Sequence, residues 1–316
     1  MPPVELFMTD FCPFAQRAWI AFLEKESDPE HPKLFNYREV NYFNRDLSET
    51  KEFLKVHNTV PAGYDTQGNP LRESMPIVYY VDQQWPKQNP LQPASDEGKE
   101  RMKKLITKFT TGAADITVPL YLVLMEADPK KGATNSAKLL SAYAELSREL
   151  QASGGPFLMG EQFTIADIAL IPFIQRALTL LPHFRGFSVP ETAEYAAFHR
   201  FVAAFEARPS VRISNADRLP RSMAVQPFGA QKRKDYLIEM YSSYAHGVNA
   251  EVREQLAHAP PGKSSVDIPA ALRTKAAREA QARSQLRQNR AMRAVAFAAI
   301  GAVVAAKLFS VYRARK

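Results

Sequence analysis

Three prolines, Pro86, Pro90 and Pro93, divide the chain into two stretches whose hydrophobic patterns cannot belong to one architecture. Proline fixes φ and removes a backbone donor, so a cluster of this kind ends regular structure. Before it, short apolar runs alternate with amphipathic helical segments; after it, everything to about residue 220 has helical periodicity. The fold must therefore join an α/β unit to an all-helical one. The length of 316 residues suits two such units with segments to spare.

In the first stretch, residues 3–9 (PVELFMT) read as a strand ending at Asp10, and Pro13 opens a helix with Phe14, Ala15, Ala18, Trp19, Phe22 and Leu23 on its apolar side. Residues 35–41 form a second strand, followed by a polar helix near Glu49 to His57. Val60 and Pro61 then precede two short strands, AGYD and PLR, separated by the turn Thr66-Gln67-Gly68-Asn69, and a helix runs from Glu73 to about Trp85. The order βαβαββα predicts one α/β domain over residues 1–86.

An all-α domain is expected over 94–222. Its clearest helix start is Thr164-Ile165-Ala166-Asp167, where Thr164 is placed to accept first-turn amides and Asp167 favours the positive end of the helix dipole. The apolar run from Ile168 to Ile174 makes this the buried central helix. Residues 223–293 read as an accessory helix, a linker broken at Pro260-Pro261-Gly262, and a basic helix. The tyrosines at 236, 241 and 244 are expected to pack on the globular part.

Residues 294–312 carry a single charge, Lys307, between Arg290/Arg293 and Arg313/Arg315/Lys316. Some 19 helical residues span roughly 28 Å, near the hydrocarbon thickness, so this segment is expected to be a transmembrane tail anchor. A buried Ala-rich helix is the alternative. The anchor would hold residues 1–290 on the cytosolic face of the mitochondrial outer membrane, with peroxisomes or the endoplasmic reticulum as alternatives, because its core is only moderately hydrophobic. Ala294, Ala298, Ala302 and Ala306 lie on one face, where two anchors can approach closely.

The net charge of +8 is not a nucleic-acid footprint: +10 of it falls in residues 273–316, which leaves −2 for residues 1–272. No nucleic-acid partner is expected. The start of the chain lacks the features of a signal or transit peptide. The six histidines show no ligand spacing, so no metal is implied, and there is neither a phosphate-binding glycine loop nor a GxSxG elbow.

A single cysteine, Cys12, excludes an internal disulfide, a cysteine-rich zinc site and a dithiol redox pair within one chain. It stands at the junction of the first strand and first helix, where free amides and the helix dipole favour a thiolate and draw the thiol toward neutrality. A buried inert cysteine is the competing reading. The run Cys12-Pro13-Phe14-Ala15-Gln16-Arg17, with Val60-Pro61 and Glu73-Ser74 after it, resembles the glutathione transferases, most closely the cysteine-type omega, lambda and dehydroascorbate-reductase branches.

The resemblance covers about residues 3–210. It implies a thioredoxin-like N-terminal domain and an all-α C-terminal domain; the tail after residue 222, with its expected C-terminal transmembrane helix, lies outside the usual family pattern. It carries the thiol facing the glutathione sulfur to Cys12, and glutathione binding to Phe14, Val60, Pro61, Glu73 and Ser74: a cis Val60-Pro61 bond, the Val60 backbone on the cysteinyl part, and Glu73-Ser74 on the γ-glutamyl group. Lys51 and Lys55 are both open for the glycyl carboxylate. Gly63 departs from the family, which usually has an apolar strand residue there.

The implied activity is a glutathione-dependent thiol transferase or reductase. Glutathione is its co-substrate, it has no other cofactor, and a small-molecule or protein disulfide is its partner. Conjugation to electrophiles fits less well, because it wants a hydroxyl where Cys12 stands. Homodimers are implied for many classes and monomers for some cysteine-type branches. The alternative is a non-enzymatic membrane protein of organelle morphology or protein import, like the ganglioside-induced differentiation-associated and metaxin families, which generally lack the cysteine motif.

Overall fold

The computed structural model describes residues 2–29, 32–40, 48–126, 128–215 and 230–245. The first unit runs β1 (Val4–Met8), α1 (Pro13–Lys25), β2 (Phe35–Glu39), α2 (Ser48–Val56), β3 (Ala62–Tyr64), β4 (Pro70–Arg72), α3 (Ser74–Gln84), the order the sequence predicts. The sheet order is β2-β1-β3-β4: β2 is parallel to β1, and β3 and β4 are each antiparallel to their inner neighbour. Val4, Leu6, Phe7 and Met8 are all buried, as befits a central strand covered on both faces.

Gly63 explains its own departure from the family pattern. It pairs with Leu6, and a Cβ built there would lie 1.9 Å from the Glu5 carbonyl oxygen. The strand approaches β1 too closely for any side chain at that position.

The helical unit comprises α4 (Asp96–Thr110), α5 (Thr117–Met125), α6 (Pro129–Ser153), α7 (Ile165–Arg185), a 3-10 turn at Ala193–Tyr195, α8 (Ala196–Glu206), α9 (Pro209–Ser214) and α10 (Ala230–Ala245). Helix starts follow local chemistry. The Ser95 hydroxyl accepts the Gly98 amide at 3.1 Å, and Asp128 accepts the amides of Lys130 and Lys131 ahead of Pro129. Helix α7 ends at Gly186, whose φ of 63° glycine adopts without a Cβ penalty.

The start of α7 has the capping box that the sequence predicts: Asp167 accepts the Thr164 amide at 2.7 Å, and the Thr164 hydroxyl, besides its bond to the Asp167 amide, donates to the same carboxylate at 3.0 Å. The other oxygen of Asp167 takes the Leu158 amide at 2.9 Å, so this carboxylate ties the preceding loop to the helix. Helix α7 is long and apolar enough to cross a membrane, yet most of it is buried in the protein core. The expected basic helix and the tail anchor at 294–312 lie outside the described residues.

The linker is a fixed strap. Asp82 takes the Leu91 amide and the Gln92 side chain, each at 2.8 Å, and Lys25 Nζ, at 2.6 Å; Lys25 also donates to the carbonyls of Gln88 and Asn89. Nearby, Glu24 accepts Arg208 Nε at 2.9 Å and Nη2 at 2.6 Å, together with the Ser210 hydroxyl. Charges from α1 are thus satisfied by the strap and by α9, which fixes the position of α1 and of the loop before it.

Candidate active site

The loop Thr9–Cys12 joins β1 to α1, and the Cys12 amide donates to the Thr9 carbonyl at 3.2 Å. Cys12 is the N-cap of α1, with Pro13 at the first helical position as the sequence predicts. Its sulfur lies 3.9 Å from the Val60 carbonyl oxygen, and the Val60-Pro61 peptide is cis. Val60 and Pro61 are buried.

Ser74 opens α3 and is buried, with its hydroxyl 3.3 Å from Arg17 Nη1. Glu73 precedes it at φ 66°, ψ 139°, a backbone conformation that a non-glycine residue adopts only at a cost of order 1–3 kcal/mol. Its side chain is 65% exposed, and one carboxylate oxygen lies 2.9 Å from His57 Nε2. Phe14 is 43% exposed and stands edge-on to Phe173 of α7 with ring centroids 5.1 Å apart. The structure therefore links Cys12 to Val60-Pro61 directly, and α1 to Ser74 through Arg17. Lys51 and Lys55 are exposed on α2, and neither is tied to these residues.

Burial pushes the Cys12 thiol up, against the amides of Ala15 and Phe14 and the guanidinium groups of Arg176 and Arg17, which pull it down. The sequence-based expectation of a lowered thiol thus meets an opposing effect that a helix N-terminus does not reveal, namely desolvation by burial.

Contacts between the two domains involve residues which motif reading left without a role. Arg17 is buried, donates Nε and Nη2 to the Ala169 carbonyl at 2.9 and 2.7 Å, and lies over the rings of Phe14 and Phe173; burial lowers its guanidinium to about 10. Arg176 and Tyr241 both donate to the Phe11 carbonyl, at 3.1 and 2.9 Å, and the Tyr236 hydroxyl donates to Asp10 at 2.8 Å. Tyr241 stacks on Tyr121 with centroids 6.4 Å apart. The expected packing of Tyr236 and Tyr241 is therefore present, directed at the cysteine loop; the side chain of Tyr244 lies outside the described residues. Arg176 was detectable as a charge inside the long apolar run of α7, and His57 had no sequence signal.

Residues 6–90 match the family described as glutathione S-transferase, N-terminal domain, and residues 133–207 match glutathione S-transferase, C-terminal domain. Glutathione S-transferase L3 of Arabidopsis thaliana is 32% identical over 176 residues, which is 56% of this chain and 67% of that protein. The probable cytosolic glutathione S-transferase DHAR1 of Oryza sativa subsp. japonica is 26% identical over 201 residues, 63% of this chain and 81% of that protein. Among solved structures, glutathione transferase Omega 3C from Trametes versicolor shares the fold, with a TM-score of 0.57 at 24% identity over 68% of this chain and 89% of that one.

Proposed function

This chain belongs to the glutathione transferase family and is a glutathione transferase enzyme, and from that premise we propose that it is a thiol transferase or reductase of the cysteine type, with Cys12 as a monothiol nucleophile. The observation that carries the reading is the position of Cys12: N-cap of α1, with its sulfur against the carbonyl of the cis Val60-Pro61 peptide. Likeness to DHAR- and lambda-named proteins supports the same choice within the family.

In this reading, glutathione lies along Val60-Pro61 with its γ-glutamyl group at Ser74 and Glu73. The carboxylate of Glu73 meets the α-ammonium, and the amides at the start of α3 meet the α-carboxylate. Phe14 flanks the thiol on the side of α7.

The chemistry is two thiol exchanges. The Cys12 thiolate attacks the glutathione sulfur of a mixed disulfide, forming Cys12–S–S–glutathione and releasing the substrate thiolate, which takes up a proton. A second glutathione thiolate then attacks that bond, giving glutathione disulfide and restoring the Cys12 thiolate. The net reaction consumes the mixed disulfide and one free glutathione thiol and yields the substrate thiol and glutathione disulfide. An external second glutathione is needed because the sequence holds no other cysteine.

The placement at a membrane through residues 294–312, first at the mitochondrial outer membrane, belongs to the same proposal and is supported by the flanking arginines and the length of the apolar segment. The test of the activity compares wild type with Cys12→Ser on a glutathionylated model disulfide. Loss of thiol transfer with the fold retained is expected, and undiminished turnover in the serine variant would overturn the assignment of Cys12.

A further inference from the structure

We propose that Arg176 is the countercharge and positioning residue of the Cys12 thiolate, delivered from the helical domain onto the loop that carries the nucleophile. The inference deepens the preceding reading and rests on it in taking Cys12 as the nucleophile.

Arg176 is 0% exposed in the middle of α7. Its Nη1 donates to the Gln16 side-chain oxygen and to the Pro172 carbonyl, its Nη2 donates to the Phe11 carbonyl, and its Nε has no hydrogen-bond partner. Among the described residues no carboxylate forms an ion pair with it. A buried cation without an anion costs several kcal/mol, and an arginine does not escape by losing its proton. Such a group belongs where an anion forms.

Two of its contacts bear on Cys12. Phe11 is the residue before Cys12, and the amide of Gln16 closes the first turn of α1 on the Cys12 carbonyl at 3.1 Å. Arg176 thereby holds both ends of the segment that presents the sulfur, and its charge acts in favour of the thiolate. Arg17 is a second buried guanidinium that forms no ion pair among the described residues, with Asp115 as a nearby charge, and both guanidinium groups oppose the effect of burial on the thiol.

The other titratable groups around the loop do not replace this charge. Burial holds the phenols of Tyr121 on α5 and Tyr241 on α10 in the neutral form, and Asp10 accepts the Tyr236 hydroxyl.

Alkylation of Cys12 by iodoacetamide reads its thiolate fraction without interference, because the full chain has one cysteine. Between about pH 5 and pH 10, folded Arg176→Gln should be alkylated about tenfold more slowly than wild type near neutrality, as a one-unit rise of the midpoint requires. Arg176→Lys, which keeps a cation, should stay within about threefold of wild type. Tyr241→Phe, which without changing charge removes the other donor to Phe11 and a hydroxyl that bonds Arg176, should slow alkylation far less than Arg176→Gln.

A wild-type profile in Arg176→Gln overturns the proposal. So does a slowing in Arg176→Lys or Tyr241→Phe as large as in the glutamine variant, because that makes the effect one of shape. Should Arg176→Gln not fold, Arg176→Lys decides: a profile like wild type upholds the charge, and a tenfold slowing overturns it. The assay contains no glutathione, so its failure is distinct from failure of the Cys12→Ser thiol-transfer test.

Discussion

At the scale of the residue, Glu73 joins two unusual properties: a left-handed φ of 66° and a carboxylate shared with His57 at 2.9 Å. The strained backbone starts α3 at Ser74 and leaves the Glu73 side chain open to solvent, where a γ-glutamyl ammonium can reach it. Replacing Glu73 by alanine should weaken glutathione binding by about 1–3 kcal/mol, the range for loss of a charge-assisted partner. Calorimetry giving an unchanged affinity would move the γ-glutamyl site elsewhere. The candidate residues Cys12, Val60, Pro61 and Ser74 were legible because each belongs to a short motif, and the structure links them. The upward push on the thiol was not legible, because burial of the loop before α1 depends on tertiary packing, including the contacts of α7 and α10 with Phe11, which sequence places far from Cys12.

At the scale of the element, the carboxylate of Asp167 gives a measurable signature of how α7 begins. Burial raises its carboxyl from the ordinary value to about 6, against the Leu158 amide and the Thr164 amide and hydroxyl, which favour the ionised form. A carboxyl raised on folding binds its proton more tightly in the native state. It therefore favours the native state below its unfolded value, near 4, and that contribution is lost as pH rises to about 6.

Asp167→Asn does not titrate at this position. Urea unfolding should therefore show the stability of wild type relative to this variant falling between about pH 4 and pH 6 and level above that. A difference that does not change with pH would remove the buried titration. The order of elements in the first unit, and the start of α7, were readable from periodicity, proline and capping residues alone. The hydrogen-bond partners inside the capping box, and the need for glycine at position 63, depend on the Leu158 loop and on the Glu5 carbonyl, which no local pattern encodes.

At the scale of the whole molecule, the enzyme unit and the expected anchor make separate predictions. Alkaline carbonate extraction of membranes carrying the full chain should leave it in the pellet if residues 294–312 span the bilayer; release with peripheral proteins would leave a basic, surface-associated segment instead. Within the enzyme unit, Gln16, Arg17 and Glu24 of α1 reach Gln175, Ala169 and Arg208 of the helical domain, in positions where water does not replace a lost partner. A chimera that joined this N-terminal half to the helical half of a relative lacking those partners would bury orphaned charges on both sides of the seam. The halves are therefore heritable only as a pair: a change of residue on one face of that seam opens the way to, or requires, a matching change on the other.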